Sequence, residues 1–272
     1  MSAAPLSSRY RTAFVTGAST GLGHAFAEML LGEGVEVWGT ARDPRRLAPR
    51  ERFHAVALEL GDGAAAEQVF LETERAAGGF DIVVNNAGFG AFGGFAETDF
   101  ALWQRQLEVM LVNTARLSHA ALRGMLARKR GALVNISSLA AEFPMPYQAT
   151  YNVVKSGLSA LNESLMFETA GTGVIVIDFR PGDYRTDFEG AVTRPEKLPD
   201  AQQERVWAAF HRLMASGPAP AHAAGALRRA LARGRSGTVR TGRFFQAVVS
   251  PFLARFGSLA LRRRIVAKYF DL

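Results

Sequence analysis

No cysteine occurs among the 272 residues, so the chain can form neither a disulfide framework nor a thiolate metal site. Its histidines are His24, His54, His119, His211 and His222. They are not spaced as metal ligands, and we therefore predict no metal site. No apolar run reaches the roughly eighteen residues of a membrane span, and the start of the chain lacks the apolar core of a signal peptide. These absences favour a cytoplasmic protein without a metal centre.

Hydrophobic residues make up 48% of the chain, which is enough to bury a full core without crosslinks. The formal net charge is +7, and such a basic balance raises the question of a nucleic-acid partner. The arginines are dispersed, however, and belong to no recognisable nucleic-acid-binding module. We interpret the charge as a basic surface and expect no nucleic-acid partner.

A tyrosine and a lysine four residues apart, Tyr151 and Lys155, form the most informative pattern, with Ser138 thirteen residues before the tyrosine. On a helix, residues at this spacing share one face. A phenol with a pKa of about 10 is a poor acid–base catalyst at neutral pH unless its anion is stabilised, and a nearby ammonium can do this. A serine hydroxyl can then hold a substrate oxygen beside the phenol. The pattern predicts a proton-transfer site.

A glycine-rich segment, residues 16–23 (TGASTGLG), lies between an apolar run at residues 10–16 and an amphipathic stretch at residues 24–31. A strand, a glycine turn and a helix start together form a cradle for nucleotide phosphates. The glycines let the backbone come close, and the helix N-terminus offers free N–H groups. This segment predicts a dinucleotide site.

Shorter segments accompany these two patterns: residues 85–88 (NNAG), Asn113, residues 135–138 (NISS) and residues 180–182 (RPG). Over residues 11 to about 190 the chain resembles the short-chain dehydrogenase/reductase family in its compact form, because all six elements occur in the family's order and spacing. The resemblance implies an oxidoreductase that uses a nicotinamide dinucleotide. The glycine spacing argues against the extended, sugar-nucleotide-modifying branch of the family, in which a different spacing is usual.

Alternating strand-like and helix-like segments predict an α/β fold, a Rossmann-like doubly wound parallel sheet flanked by helices on both faces. The expected strands are residues 12–16, 35–40, 53–59, 82–85, 132–137 and 174–179, with a seventh at 238–241. The expected helices are residues 21–33, 64–76, 98–109, 112–129 and 150–169, with a further one at 201–216. A single domain over residues 1–272 is expected, with residues 185–220 and 243–272 as lid segments on the substrate side.

By resemblance, the cofactor lies on the glycine-rich segment and on the ends of later strands. The implied cofactor-binding residues are Gly17, Ser19, Thr20, Gly21, Leu22, Gly23, Glu59, Leu60, Asn86, Ala87, Gly88, Tyr151, Lys155, Pro181, Gly182 and Thr186. Glu59 stands where the family carries an aspartate beside the adenine. Asn86 could equally be a turn former together with its neighbour Asn85.

Arg42 bears on the choice of cofactor because it follows the second expected strand. NAD-binding proteins usually place an acidic side chain there for the ribose diol, whereas a guanidinium can pair with the 2′-phosphate of NADP. Arg42 therefore favours NADP(H) over NAD(H). Asp43 follows directly, so a strand ending one residue later would reverse the preference. Arg42 could also be an ordinary arginine of a surface turn.

The resemblance implies four catalytic residues: Asn113, Ser138, Tyr151 and Lys155. Tyr151 exchanges the proton with the substrate oxygen, and Ser138 holds that oxygen. Lys155 lowers the pKa of Tyr151 and binds the nicotinamide ribose. Asn113 anchors a water in a proton relay to Lys155. Ser137 competes for the serine role, and the spacing to the tyrosine selects Ser138.

Apolar residues near the expected site suggest a carbonyl or secondary alcohol with substantial apolar surface as substrate, although half of them could simply fill the core. They are Phe89, Phe92, Phe95, Phe143, Met145, Pro146, Tyr147 and Phe188. After Gly182, Asp183, Tyr184 and Arg185 could touch the substrate or turn outward.

The C-terminal segment, residues 243–272, combines many apolar residues with six basic ones and one acid. An interfacial helix on anionic lipid has this composition. Pro251 and Gly257 interrupt the segment, so we expect a lid and no membrane attachment. In that interpretation the arginines face solvent, and the apolar wall of the pocket consists of Phe244, Phe245, Val248, Phe252, Leu253 and Phe256.

Two further expectations concern assembly and function class. The resemblance implies a homodimer or homotetramer paired through helices 112–129 and 150–169. The stripe of Leu158, Leu161, Leu165 and Met166 suits such pairing, or it merely covers the sheet. The leading function is NADP(H)-dependent oxidation or reduction, and the alternative is a non-catalytic NADP(H) sensor of the same fold. The complete catalytic set favours the enzyme, because a sensor has no need of the phenol–ammonium pair.

Overall fold

The computed structural model describes residues 4–196 and 198–272, except the side chains of residues 189 and 253–255. Its strands, in chain order, are β1 (Thr12–Val15), β2 (Glu36–Ala41), β3 (Phe53–Ala57), β4 (Ile82–Asn85), β5 (Gly90–Ala91), β6 (Gly131–Ile136), β7 (Val174–Pro181), β8 (Val192–Thr193) and β9 (Gly237–Thr241). Seven of them form one parallel sheet in the order β3-β2-β1-β4-β6-β7-β9. The order reverses between β1 and β4, and this reversal opens a crevice at the carboxyl ends of the strands.

The α-helices are α1 (Gly21–Gly32), α2 (Gly63–Ala76), α3 (Phe100–Leu107), α4 (Asn113–Arg128), α5 (Ala149–Glu168), α6 (Ala201–Ala215), α7 (Pro220–Arg233), α8 (Ser250–Phe256) and α9 (Leu259–Tyr269). They cover both faces of the sheet, because strands buried on both sides need two apolar layers. Residues of α1 and α7 pack on one face, and residues of α2, α4 and α5 pack on the other. The predicted doubly wound fold is confirmed.

The predicted strand and helix positions agree with the structure to within one or two residues at most ends. The expected helix 98–109 is the main difference, because α3 ends at Leu107 and a π-helical turn (Glu108–Val112) joins it to α4. Helix α7 was not predicted. Pro220 in its first turn and Gly234 at its C-cap, with φ of 61°, were usable signals.

A smaller apolar cluster lies beside the main sheet and involves both expected lid segments. Val206 and Phe210 of α6 pack with Phe92 and with Phe270, which follows α9. The two-residue strands β5 and β8 pair nearby and join the loop after β4 to the segment before α6. Such short strands carry no periodicity, so the sequence could not reveal them.

Candidate functional site

The glycine-rich segment forms a tight backbone cradle between β1 and α1. Gly17 and Gly21 have positive φ angles of 67° and 59°, which other residues rarely adopt. A Cβ on Gly23 would lie 2.1 Å from the carbonyl oxygen of Gly17, so no larger residue fits there. Thr20 is the N-cap of α1 and offers no side-chain cap, which leaves the first N–H groups of the helix for an anion.

The loop after β4 is tied to this cradle. Asn86 donates from Nδ2 to the carbonyl oxygens of Thr16 and Gly17, at 3.0 and 3.3 Å. The backbone N–H groups of Asn86 and Ala87 both donate to the Thr16 hydroxyl. The Asn86 side chain therefore fixes the relative position of two cofactor-side loops, which is more than a turn former requires.

A cavity of about 1190 Å³ runs along the carboxyl ends of the strands, from the cradle to the C-terminal segment. The sequence-predicted residues that line it are Gly17, Ser19, Thr20, Gly21, Leu22, Arg42, Glu59, Leu60, Asn86, Ala87, Gly88, Ser138, Tyr151, Lys155, Pro181, Gly182 and Thr186. Gly23 lies behind the cradle and Asn113 lies behind Leu60. A volume of this size suits a dinucleotide together with a small molecule.

Two arginines stand at the end of the cavity beyond β2. Arg42 is exposed and lines the cavity, and so does Arg46, which the sequence interpretation missed. Asp43 is turned to Arg45, since its carboxylate accepts from the backbone and guanidinium N–H groups of Arg45 at 3.1 and 2.9 Å. This end of the cavity therefore presents two exposed guanidinium groups, while the Asp43 carboxylate is paired with Arg45.

On the neighbouring strand end, the Glu59 carboxylate accepts from the backbone N–H of Gly61 at 2.8 Å. Leu60 is buried, and its carbonyl oxygen accepts from Nδ2 of Asn113 at 2.7 Å. Asn113 begins α4, directly after the π-helical turn, and its Oδ1 is buried without a hydrogen-bond partner. Its side chain thus braces the loop that contains Leu60, and a water relay from Asn113 to Lys155 stays a prediction.

Tyr151 and Lys155 lie one turn apart on α5 and are both buried. The Lys155 ammonium lies 5.4 Å from the centre of the Tyr151 ring and donates to the carbonyl oxygen of Ile136 at 2.8 Å. Ser138 follows β6; its hydroxyl accepts from the backbone N–H of Ala140 at 3.0 Å and lies close enough to the Tyr151 phenol to lower its pKa. The structure therefore brings the three residues together at one point of the cavity wall.

Burial sets the protonation of this group. It raises the pKa of Tyr151 to about 12, opposed by the Ser138 hydrogen bond and reinforced by the charge of Asp183. It lowers the pKa of Lys155 to about 8, opposed by the charge of Asp178. The pKa of Tyr151 thus moves opposite to the expected direction, because desolvation of the phenolate is the largest contribution.

The other serine, Ser137, is engaged below the site. Its hydroxyl donates to Oδ1 of Asp178 at 2.5 Å, and Arg180 donates from Nε to Oδ2 of the same carboxylate at 2.7 Å. Arg180 also pairs with Glu142. This buried network holds the ends of β6 and β7 together, and it occupies Ser137 so that Ser138 is the serine facing Tyr151.

Away from the cradle, many of the side chains that line the cavity are apolar. Of the apolar residues expected there, Phe89, Phe143, Met145 and Phe188 line the cavity. Phe92 is fully buried in the neighbouring cluster instead, and Phe95 is exposed. Asp183, directly after Gly182, also lines the cavity, as do the charged residues Arg105 and Asp187.

The residues after Asp183 take different roles. Tyr184 is buried, and its hydroxyl is hydrogen-bonded to Thr241 at 2.6 Å and to His222 at 2.8 Å. Arg185 is exposed, which agrees with the expectation that it turns outward. Thr186 reaches back to the cradle, since a Cβ on Gly21 would lie 3.5 Å from Thr186 Cβ.

The C-terminal segment lines the cavity, but with other residues than expected. Those that face the cavity are Phe245, Gln246, Ser250, Ile265, Val266, Tyr269 and Phe270. Phe244, Val248, Phe252 and Phe256 are exposed instead, because they lie on the opposite side of the helical stretch from Gln246 and Ser250. The expected apolar wall is therefore wrong for these four. The side chain of Leu253 lies outside the described residues.

Comparisons with known proteins agree with this geometry. The family model described as short chain dehydrogenase matches residues 11–197. A short chain dehydrogenase of Pseudocercospora fijiensis is 32% identical over 188 residues, which span 65% of this chain and 61% of that protein, less than two thirds of its length. The 3-oxoacyl-(acyl-carrier-protein) reductase FabG of Vibrio cholerae is 31% identical over 198 residues, 71% of this chain and 81% of that one.

A solved structure is similar over almost the whole length. The crystal structure of a short-chain dehydrogenase from Streptomyces avermitilis superimposes with a TM-score of 0.80 at 29% identity and covers 97% of each chain. This similarity includes the C-terminal third, which lies beyond the family model and carries none of its motifs.

Proposed function

The chain belongs to the short-chain dehydrogenase/reductase family, and we propose that it transfers hydride between NADP(H) and the carbonyl or secondary alcohol of an apolar small molecule. One observation carries the proposal. The cavity that begins at a backbone cradle for phosphates contains Tyr151, Ser138 and Lys155 side by side on its wall. A cradle alone would suit a sensor, whereas the buried phenol, hydroxyl and ammonium together suit proton transfer.

The residues of the chain divide the work. When bound, the dinucleotide supplies or accepts the hydride. Ser138 holds the substrate oxygen by a hydrogen bond, and Tyr151 donates a proton to that oxygen during reduction. Lys155 would bind the nicotinamide ribose and stabilise the phenolate left behind. Because burial raises the pKa of Tyr151 to about 12, the phenol carries at neutral pH the proton that it donates in this step.

The preference for NADP(H) rests on the charges beyond β2. Arg42 and Arg46 both line the adenosine end, so they can meet a 2′-phosphate. Asp43, the carboxylate that would serve NAD, already accepts from Arg45. Two cations and an occupied carboxylate support NADP(H) more strongly than Arg42 does alone.

The direct test is consumption of NADPH and of NADH by the purified protein with a panel of apolar ketones, aldehydes and quinones. We expect turnover with at least one apolar carbonyl and a higher kcat/KM with NADPH. Binding of NADPH without turnover of any compound would favour the sensor. A higher kcat/KM with NADH would overturn the cofactor assignment and leave the oxidoreductase assignment standing.

A further inference from the structure

An exposed row of apolar side chains runs along the C-terminal segment. Phe244, Val248, Phe252 and Phe256 recur every four residues, and 74%, 52%, 66% and 74% of their respective surfaces are exposed. Residues at this spacing share one face of a helix. The rings of Phe252 and Phe256 also contact each other, with centroids 5.2 Å apart. We call these four residues the apolar row. A contiguous apolar surface of this kind marks an interaction site.

The helix that carries the row is continuous, although the sequence predicted a break at Pro251. A π-helical turn (Phe245–Val249) leads directly into α8, and Pro251 lies in the first turn of α8. Proline is tolerated there because its missing N–H matters least at a helix start. The wider π-turn before it also makes room for the proline ring beside the carbonyl groups of the preceding turn. Of the two breaks on which the lid prediction rested, the one at Pro251 is absent and the one at Gly257 is present, between α8 and α9.

The same segment carries surplus positive charge. Arg263, Arg264 and Lys268 of α9 are exposed. The one acid of the segment, Asp271, forms an ion pair with Arg212 of α6 and so does not offset them. Exposed apolar side chains on α8 and exposed cations on α9 are the two kinds of group that an anionic lipid interface binds, since it offers acyl chains below phosphate and carboxylate headgroups.

We propose that the C-terminal segment binds the protein to the surface of an anionic membrane, with the apolar row in the acyl boundary and the α9 cations against the headgroups. A second copy of the chain is a poorer occupant of this surface. It carries the same net charge of +7 and the same α9 cations, so pairing two such segments would bring like charges together. Among the described residues no helix is long and apolar enough to cross a membrane, so the attachment is peripheral.

The helical stretch that carries the row also borders the cavity, with its other side. Phe245, next to Phe244, lines the cavity and is still half-exposed, and Gln246 and Ser250 of the same helical stretch line it too. An apolar substrate dissolved in lipid would therefore reach the cavity without crossing bulk water. This second part rests on the proposed function, whereas the attachment itself does not.

The attachment is tested by flotation of the full chain with vesicles of phosphatidylcholine alone and of equal parts phosphatidylcholine and phosphatidylserine. We expect binding to the anionic vesicles only, weakening as salt rises, because the screening length falls from about 30 Å at 0.01 M to about 8 Å at 0.15 M. Phe252→Glu should weaken binding at least about tenfold, since it removes an aromatic ring that the membrane would bury and adds a negative charge that the anionic lipid repels. Leu71→Glu, at an exposed apolar residue of α2, is the matched control and should bind as the parent does.

Three results would overturn the proposal. The parent protein could fail to float with anionic vesicles, or Phe252→Glu could bind as tightly as Leu71→Glu. Alternatively, light scattering could show that Phe252→Glu lowers the oligomeric state, which would assign the row to a second copy. None of these readouts depends on enzyme activity. A failed attachment would therefore leave the oxidoreductase proposal intact. An inactive protein that still floats would contradict the oxidoreductase proposal and leave the membrane attachment intact.

Discussion

The hydroxyl of Tyr269 donates to Oδ2 of Asp183 at 2.5 Å, so the end of α9 is joined to the residue that follows Gly182 at the active site. Gln246 donates to the same carboxylate oxygen. Both donors hold the carboxylate in place at the cavity wall, and its charge helps to raise the pKa of Tyr151. The C-terminal segment therefore shapes the site electrostatically as well as sterically.

This relationship predicts discrimination against anionic substrates. Asp183→Asn should raise the kcat/KM ratio of a carboxylate-bearing ketone to a neutral one roughly tenfold, because like charges a few Å apart in a protein repel by about 1–4 kcal/mol. Tyr269→Phe is the matched control, since it removes a donor and keeps the charge. Equal ratios in Asp183→Asn and the parent would place the Asp183 charge away from the substrate.

The cofactor assignment predicts that Arg42→Ala weakens NADPH binding about tenfold or more and NADH binding little. A charge-assisted hydrogen bond contributes about 1.5–3 kcal/mol, and only NADPH carries the extra phosphate. Titration calorimetry with both dinucleotides measures this. Arg75→Ala, an exposed arginine of α2, controls for the loss of one surface charge. Equal losses of affinity for the two cofactors would show that Arg42 does not bind the 2′-phosphate.

The lowered pKa of Lys155, about 8, predicts a pH dependence of reduction. Below this pKa Lys155 is an ammonium that can stabilise the phenolate, and above it the charge is lost. The kcat/KM for carbonyl reduction should therefore fall as pH rises through about 8, since this parameter reports groups of the free enzyme. A pH profile that stays flat on both sides of pH 8 would contradict the role given to Lys155.

Assembly gives a separate prediction. On α5, Leu158 is buried inside the chain, whereas Val153 and Phe167 are exposed. We expect a dimer or tetramer paired through α4 and α5, and light scattering should show Val153→Glu shifted toward the monomer. Leu71→Glu is again the control. A monomeric parent protein at micromolar concentration would remove the dimer prediction.

Most of the sheet could be predicted from the sequence because its strands are continuous apolar runs between glycine turns. The short strands and the π-helical turns outside the motifs could not be predicted. The two-residue strands β5 and β8 have no period, and the π-helical turns depend on how neighbouring helices pack.

For the candidate site, the sequence predicted residues that the structure brings together along one cavity, but it did not predict their pKa shifts. The spacing from Ser138 to Tyr151 selected the serine that the structure places beside the phenol, with Ser137 held by Asp178. The direction in which the pKa of Tyr151 shifts depends on burial, which no local sequence pattern reveals. Likewise, the alternation of apolar and basic residues in the C-terminal segment could not show which side of the helix faces the cavity.

The central claim is that Tyr151 transfers the proton, and the most direct measurement compares kcat of the parent and Tyr151→Phe on the best apolar carbonyl with NADPH. Loss of the phenol should lower kcat at least about 10²-fold, because general acid–base catalysis contributes about that much or more. The Kd for NADPH, measured on the same samples, should stay within a few-fold, which shows that the cradle is intact. A Tyr151→Phe variant that keeps near-parental kcat would contradict the account.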